Sequence, residues 1–386
     1  MSKKLILLTL ATILVAVLIS AGATAGRTQT TARSFSVGLY DDGMTLGNPD
    51  KGFPILHNLR AQVVRITLWW GGSIGVAKTQ PKNPTNPADP AYNWDAYDRA
   101  VQDAAKYKIK VLFSIVGTPA WANGGRAARY APTRPVALQN FATAAAKRYS
   151  GTFEPTTDEP ALPAVRLWLA WNEPNNPVFL SPQYRKVNGR WFPQSAYSYV
   201  RICNAIYKGV HGVQHAAAKV ACGGTDPFGN NSPKSKRASI SPLVFLRMMK
   251  KYGLRSSSFD AWAHHPYASR PTQSPTTKPK GKDTVILGNF GDLTKELTRL
   301  YGKKRIWITE YGYQTRPPDK TFGVAWKTQA RYLAQAYAIV RKNPRIDMMI
   351  WFLVKDESRL AGWQSGFFTA AGKRKPAYTA FRALKH

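Results

Sequence analysis

The chain has 386 residues, 44% of them hydrophobic, and sets 55 lysines and arginines against 21 acidic residues, for a formal charge of +34. This length and apolar share allow a sizeable core in one large domain and exclude a largely unstructured chain. The charge invites a nucleic-acid reading, but no nucleic-acid motif appears and the N-terminus reads as an export leader, so no nucleic-acid partner is expected.

Lys3 and Lys4 form a positive head, Leu5–Ile19 an apolar segment and Ala23-Thr24-Ala25 a small-residue cleavage site. This pattern predicts a signal peptide over residues 1–25, cleaved after Ala25, and a secreted or cell-envelope protein. An uncleaved anchor is the alternative, because the apolar stretch is nearly long enough to span a bilayer. No later stretch is apolar enough to cross one, so no membrane contact is expected after cleavage. A flexible polar leader follows over residues 26–33, and residues 34–386 read as one folded domain.

The domain alternates short apolar runs with amphipathic ones. Strands are predicted at Ser34–Tyr40, Gln62–Trp70, Lys108–Ser114, from Leu167, and at Lys219–Gly224, Phe259–His264, Arg305–Glu310 and Met348–Leu353. Helices are predicted at Lys51–Arg60, Asp95–Tyr107, Pro135–Tyr149, Ser195–Ala218, Pro242–Tyr252, Asp292–Tyr301, Val324–Lys342 and Pro376–Leu384. Lys78–Ala91, Gly151–Pro163, Asn230–Ser239 and Ala268–Asp283 are Pro-, Asn- or Lys-rich and read as loops. Eight strand–helix repeats argue for α/β architecture as a single (β/α)8 TIM barrel. A doubly wound sheet is disfavoured because no Gly-rich phosphate loop follows any strand.

Basic clusters at Lys234–Arg237, Lys278–Lys282, Lys303–Arg305 and Lys373–Lys375 fall mostly in loops. They read as a solvated face or as attraction to an anionic glycan or cell envelope. Export permits a disulfide between Cys203 and Cys222, on a helix and the following strand; a free pair is the alternative.

Two apolar runs end in a glutamate. Leu-Trp-Leu-Ala-Trp from Leu167 stops at Asn172-Glu173-Pro174, and Arg305–Gly312 contains Glu310. Pro174 cannot continue a central strand and holds Glu173 at its carboxyl end. In a (β/α)8 barrel the strand ends form the active site, so the pair would face each other across its mouth. Paired carboxylates over an aromatic floor suit glycoside hydrolysis. Arg65 sits inside an apolar run and needs a partner: an ordinary core ion pair, or a carboxylate of the site. Trp69, Trp70, Trp121, His265, Tyr267 and Trp351 also fall at strand ends, and His264 could replace His265. The two histidines have no third ligand at metal-like spacing, so no metal and no cofactor are expected.

Trp171-Asn172-Glu173-Pro174-Asn175, His265-Pro266-Tyr267 and Ile308-Thr309-Glu310-Tyr311-Gly312 resemble motifs of the large (β/α)8 clan of retaining glycoside hydrolases. Arg65, Gly117–Trp121 and Trp351 add to the resemblance, which spans roughly residues 35–385 and looks closest to family 39-like and family 5-like members. It implies that Glu173 is the general acid/base and Glu310 the nucleophile, about 5–5.5 Å apart. It further implies that Arg65 and Tyr267 serve Glu310, Asn172 holds the sugar 2-hydroxyl and His265 shapes the cleft. Trp351 would stack under the sugar, with Trp70 and Trp121 as further platforms. The expected activity is a secreted glycosidase cleaving a β-linked poly- or oligosaccharide as a monomer. A transglycosylase with the same residues and a non-catalytic glycan-binding barrel are the alternatives.

Overall fold

The computed structural model describes residues 35–385. The expected leader and its cleavage site lie outside them. Eight strands alternate with eight principal helices. They are β1 (Ser36–Tyr40), α1 (Pro49–Asn58), β2 (Val63–Trp69), α2 (Asp95–Lys106), β3 (Lys110–Val116), α3 (Pro135–Arg148), β4 (Leu167–Ala170), α4 (Gln194–Gln214), β5 (Lys219–Thr225), α5 (Pro242–Lys251), β6 (Ala261–His264), α6 (Phe290–Tyr301), β7 (Arg305–Tyr311), α7 (Trp326–Lys342), β8 (Ile346–Phe352) and α8 (Pro376–Arg382). The strands are all parallel and close in the order β1-β8-β7-β6-β5-β4-β3-β2.

Local chemistry explains the helices. Pro49, Pro135, Pro242 and Pro376 open α1, α3, α5 and α8, where a missing N–H costs nothing. In α2, Asp95 and Asp98 sit in the first turn and Lys106 in the last, complementing the helix dipole. Its Tyr97, Ala100, Val101 and Ala104 form one buried stripe at helical spacing. Gly209 of α4 admits the backbone of α3, since a Cβ there would lie 2.5 Å from the Gln139 carbonyl oxygen.

The barrel interior is filled by Val63, Leu112, Leu169, Ala221, Ala261, Ala263, Trp307, Met348 and Ile350. It is a packed core that leaves only its carboxyl end for chemistry. Two register irregularities lie at that end. On β7, Met349 pairs with Ile308 but Trp351 with Tyr311, so Thr309 and Glu310 share the space of one partner residue. On β5, Gly223 pairs with Ala263 but Thr225 with His264, leaving Gly224 as the extra residue. Such bulges redirect side chains at barrel rims.

Cys203 of α4 and Cys222 of β5 form a disulfide, with Cα atoms 5.9 Å apart. A hairpin over Arg185–Val187 and Arg190–Phe192 was not expected from the sequence. Its turn is Asn188-Gly189, both at positive φ (49° and 76°), a favoured hairpin dipeptide. Three-residue arms are too short to show a period. No described helix is long and apolar enough to cross a membrane. The basic clusters are not uniformly solvated: Lys375 is buried against Asp356 at 2.7 Å, Lys304 caps the Phe259 carbonyl at 2.8 Å, and Arg305 pairs with Asp347.

Candidate active site

Arg65 points up the barrel axis from the middle of β2 and is fully buried. A buried guanidinium needs acceptors on every side. Its Nε donates to Ser114 Oγ at 2.8 Å, and Nη1 donates to Glu310 Oε2 at 3.0 Å and to the Thr309 carbonyl at 3.1 Å. Nη2 donates to Asn172 Oδ1, and the Tyr40 ring lies 4.3 Å from the guanidinium carbon. One side chain therefore ties β2 to the ends of β4 and β7.

Glu310 accepts a second bond from the Tyr267 hydroxyl at 2.9 Å. Glu173 stands on a strained turn after β4. Trp171 and Glu173 hold φ of 68° and 37°, in the left-handed region that non-glycine residues rarely visit. The turn is pinned by Glu173 N–H donating to the Gly224 carbonyl at 2.9 Å, the residue that the β5 bulge displaces. Asn175 holds it from the other side, its side chain donating to the carbonyls of Asp226 at 3.0 Å and Ile240 at 2.9 Å.

His265 bridges the two halves. Its Nδ1 is 2.9 Å from Glu173 Oε1, and its Nε2 is 3.0 Å from Thr309 Oγ1 and 3.4 Å from Arg65 Nη1. Arginine only donates, so Nε2 is the acceptor and Nδ1 carries the proton toward Glu173. Burial drives the imidazole pKa down to about 3, so the ring is neutral. His264 faces the other way, bonded to Thr225 at 2.7 Å and to the Val285 carbonyl at 3.0 Å.

The two carboxyls differ in surroundings. Burial first, and the Glu310 charge second, push Glu173 well above the usual carboxylate range, against a smaller opposing pull from Arg65. One oxygen of each glutamate and a ring nitrogen of His265 lie within 4.8 Å of one another. His264 is not among them, so the histidine pair considered from the sequence gains no third partner among the described residues; the three groups meet from the ends of β4, β6 and β7, far apart in the chain. Arg65 Nη1 lies 3.0 Å from Glu310 and 3.4 Å from His265 Nε2, while Glu173 takes its bond from the imidazole.

The tryptophans fall elsewhere than expected. Trp351 points outward from β8, stacks on Phe367 at 5.8 Å and donates to the Ser365 carbonyl at 2.9 Å; it is core. Trp70 is fully buried, packed on Phe141 and on the edge of Trp121. Trp121 is half-buried, donates to the Ala77 carbonyl at 2.9 Å and borders a separate cavity of about 520 Å³ with Gln80, Pro84 and Asn140. Strand alternation sends residue 352 of β8 inward in place of 351. The aromatic surface near the glutamates is instead Trp363, 5.5 Å from Tyr267 and 5.4 Å from Phe352. Trp363 lies in an irregular loop, beyond the reach of a strand-end reading. Asp226, held by Asn176 at 2.8 Å, was also missed; burial and then the Glu173 charge raise its pKa to about 7.

No protein-family model and no curated sequence matches the chain. Solved structures do. A family 39 glycoside hydrolase from Bacteroides cellulosilyticus WH2 superposes with a TM-score of 0.62 at 19% identity, over 91% of this chain and 63% of that one. A glucosidase from Croceicoccus marinus gives 0.62 at 15%, over 91% and 66%. Fungal β-1,4-galactanases give 0.57 at 12%, over 92% and 100%. The chain thus spans about two thirds of the length of the first two. The likeness establishes a fold shared with several glycoside hydrolases, a closed (β/α)8 barrel.

Proposed function

We propose that this protein is a retaining glycoside hydrolase, exported by the leader over residues 1–25 and acting on a β-linked poly- or oligosaccharide. The observation that carries this reading is the approach of Glu173 and Glu310 oxygens to within 4.8 Å in unlike surroundings. Retaining enzymes hold their carboxyls about 5–5.5 Å apart, whereas inverting ones leave room for a water between them.

Glu173, protonated because burial and a neighbouring anion oppose its charge, donates its proton to the leaving glycosidic oxygen. Glu310 attacks the anomeric carbon as that bond breaks, giving a covalent glycosyl-enzyme. Water then enters; Glu173 takes its proton, the new C–O bond forms and the bond to Glu310 breaks. Arg65 and Tyr267 orient the Glu310 oxygens for in-line attack. Arg65 already holds the Asn172 carbonyl oxygen, leaving its NH2 group to bond the sugar 2-hydroxyl. Neutral His265 fixes the Glu173 carboxyl without adding charge.

The test is release of reducing ends from a panel of neutral and acidic β-glycans, with Glu173→Gln and Glu310→Gln as controls. Release by the native protein alone is expected. NMR at early times should show product with the β-configuration retained; inverted product would sink the double-displacement reading.

A further inference from the structure

A cavity of about 340 Å³ lies between the connection after β3 and the connection after β4, over the first turns of α4. Its volume is in the range of ligand sites. Arg126, Arg185 and Arg201 line it with Tyr130 and Tyr197, and no acidic residue is in its wall. Each guanidinium has a neutral neighbour. Arg185 donates to the Gln194 amide oxygen, Arg201 to the Tyr197 hydroxyl at 2.9 Å, and Arg126 lies 5.6 Å from the Tyr130 ring centre.

In a chain of charge +34 many cations face only solvent. Arg126, Arg185 and Arg201 are exposed too, but they border one concavity. They repel one another, and low-dielectric walls focus their field on whatever enters. Arginine forks match carboxylate or sulfate oxygens. The site is tied to the chemistry by chain path. The connection that supplies Ser181 and Arg185 begins after Ala170 and carries Glu173, and Ser181 N–H bonds the Arg129 carbonyl at 2.9 Å, joining the two walls.

We propose that this cavity is a distal subsite holding an anionic group, the carboxylate or sulfate of an acidic glycan. Its placing on the leaving-group side of the cut rests on the reading of Glu173 as the acid; the anion site itself does not.

Binding is measured by calorimetry at low salt on Glu310→Gln protein, so that turnover does not consume the probe. The probes share one backbone: a hexamer of β-1,4-linked glucuronate, cellohexaose, and cellohexaose sulfated at O6. The glucuronate hexamer is expected to bind about tenfold tighter than cellohexaose, the scale of charge-assisted hydrogen bonds. The sulfated arm tells whether sulfate serves as well as carboxylate. Arg126→Gln/Arg185→Gln should remove most of the preference, and Arg201→Gln, which leaves the hairpin untouched, should repeat the loss. Lys106→Gln/Lys342→Gln removes equal charge at the far ends of α2 and α7 and should keep the preference. Equal loss in both double variants, or no preference in the parent, overturns the subsite. An arginine-dependent preference without hydrolysis of any hexamer by native protein would leave the subsite standing and defeat the glycosidase reading. Glutamate-dependent hydrolysis of cellohexaose without that preference would do the reverse.

Discussion

Arg65 is the residue through which two like carboxylates become unlike. It touches Glu310 directly at 3.0 Å, while Glu173 is left to a neutral imidazole. Glu173→Gln should therefore lower kcat on a glycan by about 10²- to 10⁴-fold. On aryl glycosides whose acidic phenols leave without a proton the loss in kcat/KM should be far smaller, while kcat stays low because hydrolysis of the glycosyl-enzyme still needs Glu173 as base. Wild-type activity on glycans should fall as pH rises through the elevated Glu173 pKa, and that limb should vanish with such aryl substrates. Stability runs with it. A carboxyl whose folded pKa is raised contributes stability below its unfolded pKa and loses it as pH rises through the folded one. Glu173→Gln is thus expected to melt above wild type at pH 7 and level with it near pH 4, by calorimetry at both pH values. A variant melting below wild type at pH 7 would mean that Glu173 is held for stability.

At the scale of elements, strand phase decides which aromatics are buried behind the barrel and which stand beside the glutamates. Trp70 faces Phe141 of α3, so Trp70→Ala should cost about 3–5 kcal/mol by denaturant titration, a core effect. Trp363 is over a third exposed beside Tyr267, so Trp363→Ala should raise KM with little change in melting. The reverse pattern would return the platform role to Trp70. The disulfide ties α4 to β5, the strand whose Gly224 carbonyl anchors Glu173. Closing a short loop, it should contribute about 3 kcal/mol. Cys203→Ser/Cys222→Ser is expected to melt lower than the native protein while retaining activity at 25 °C, and unchanged melting would count against the bridge.

Across the whole molecule, 55 basic against 21 acidic residues make a field that a small pair such as Arg305–Asp347 does little to neutralise. Attraction to polyanions should be long-ranged and weaken as the Debye length shrinks from about 10 Å at 0.1 M salt to about 3 Å at 1 M. Retention on an anionic polysaccharide column is expected to be lost by 1 M salt. Hydrolysis of a short neutral glycan should hardly respond, because the buried Arg65–Glu310 contact is poorly screened. Equal salt sensitivity of both would place bulk charge inside the catalytic step.

Composition and period were enough to foresee the barrel. Eight apolar runs separated by amphipathic ones admit few architectures, and β7 emerged within one residue of its expected end because buried strands carry unbroken apolar sequence. Glu173 and Glu310 were legible for the same reason: a carboxylate ending such a run has no cheap place except a strand end. Arg65 was legible as a residue in need of a partner. Which atoms it would meet depended on β2, β4 and β7 closing round one axis. His265, named from its motif with His264 as the alternative, does face Glu173. That Trp363 rather than Trp351 lies beside Tyr267 turned on side-chain phase at the end of β8 and on the bulge in its pairing with β7. Those are properties of register between strands distant in sequence, so no local pattern encodes them. The arginine cavity is of this kind too: Arg126, Arg185 and Arg201 belong to separate segments, and only packing of the β3 and β4 connections over α4 makes them one surface.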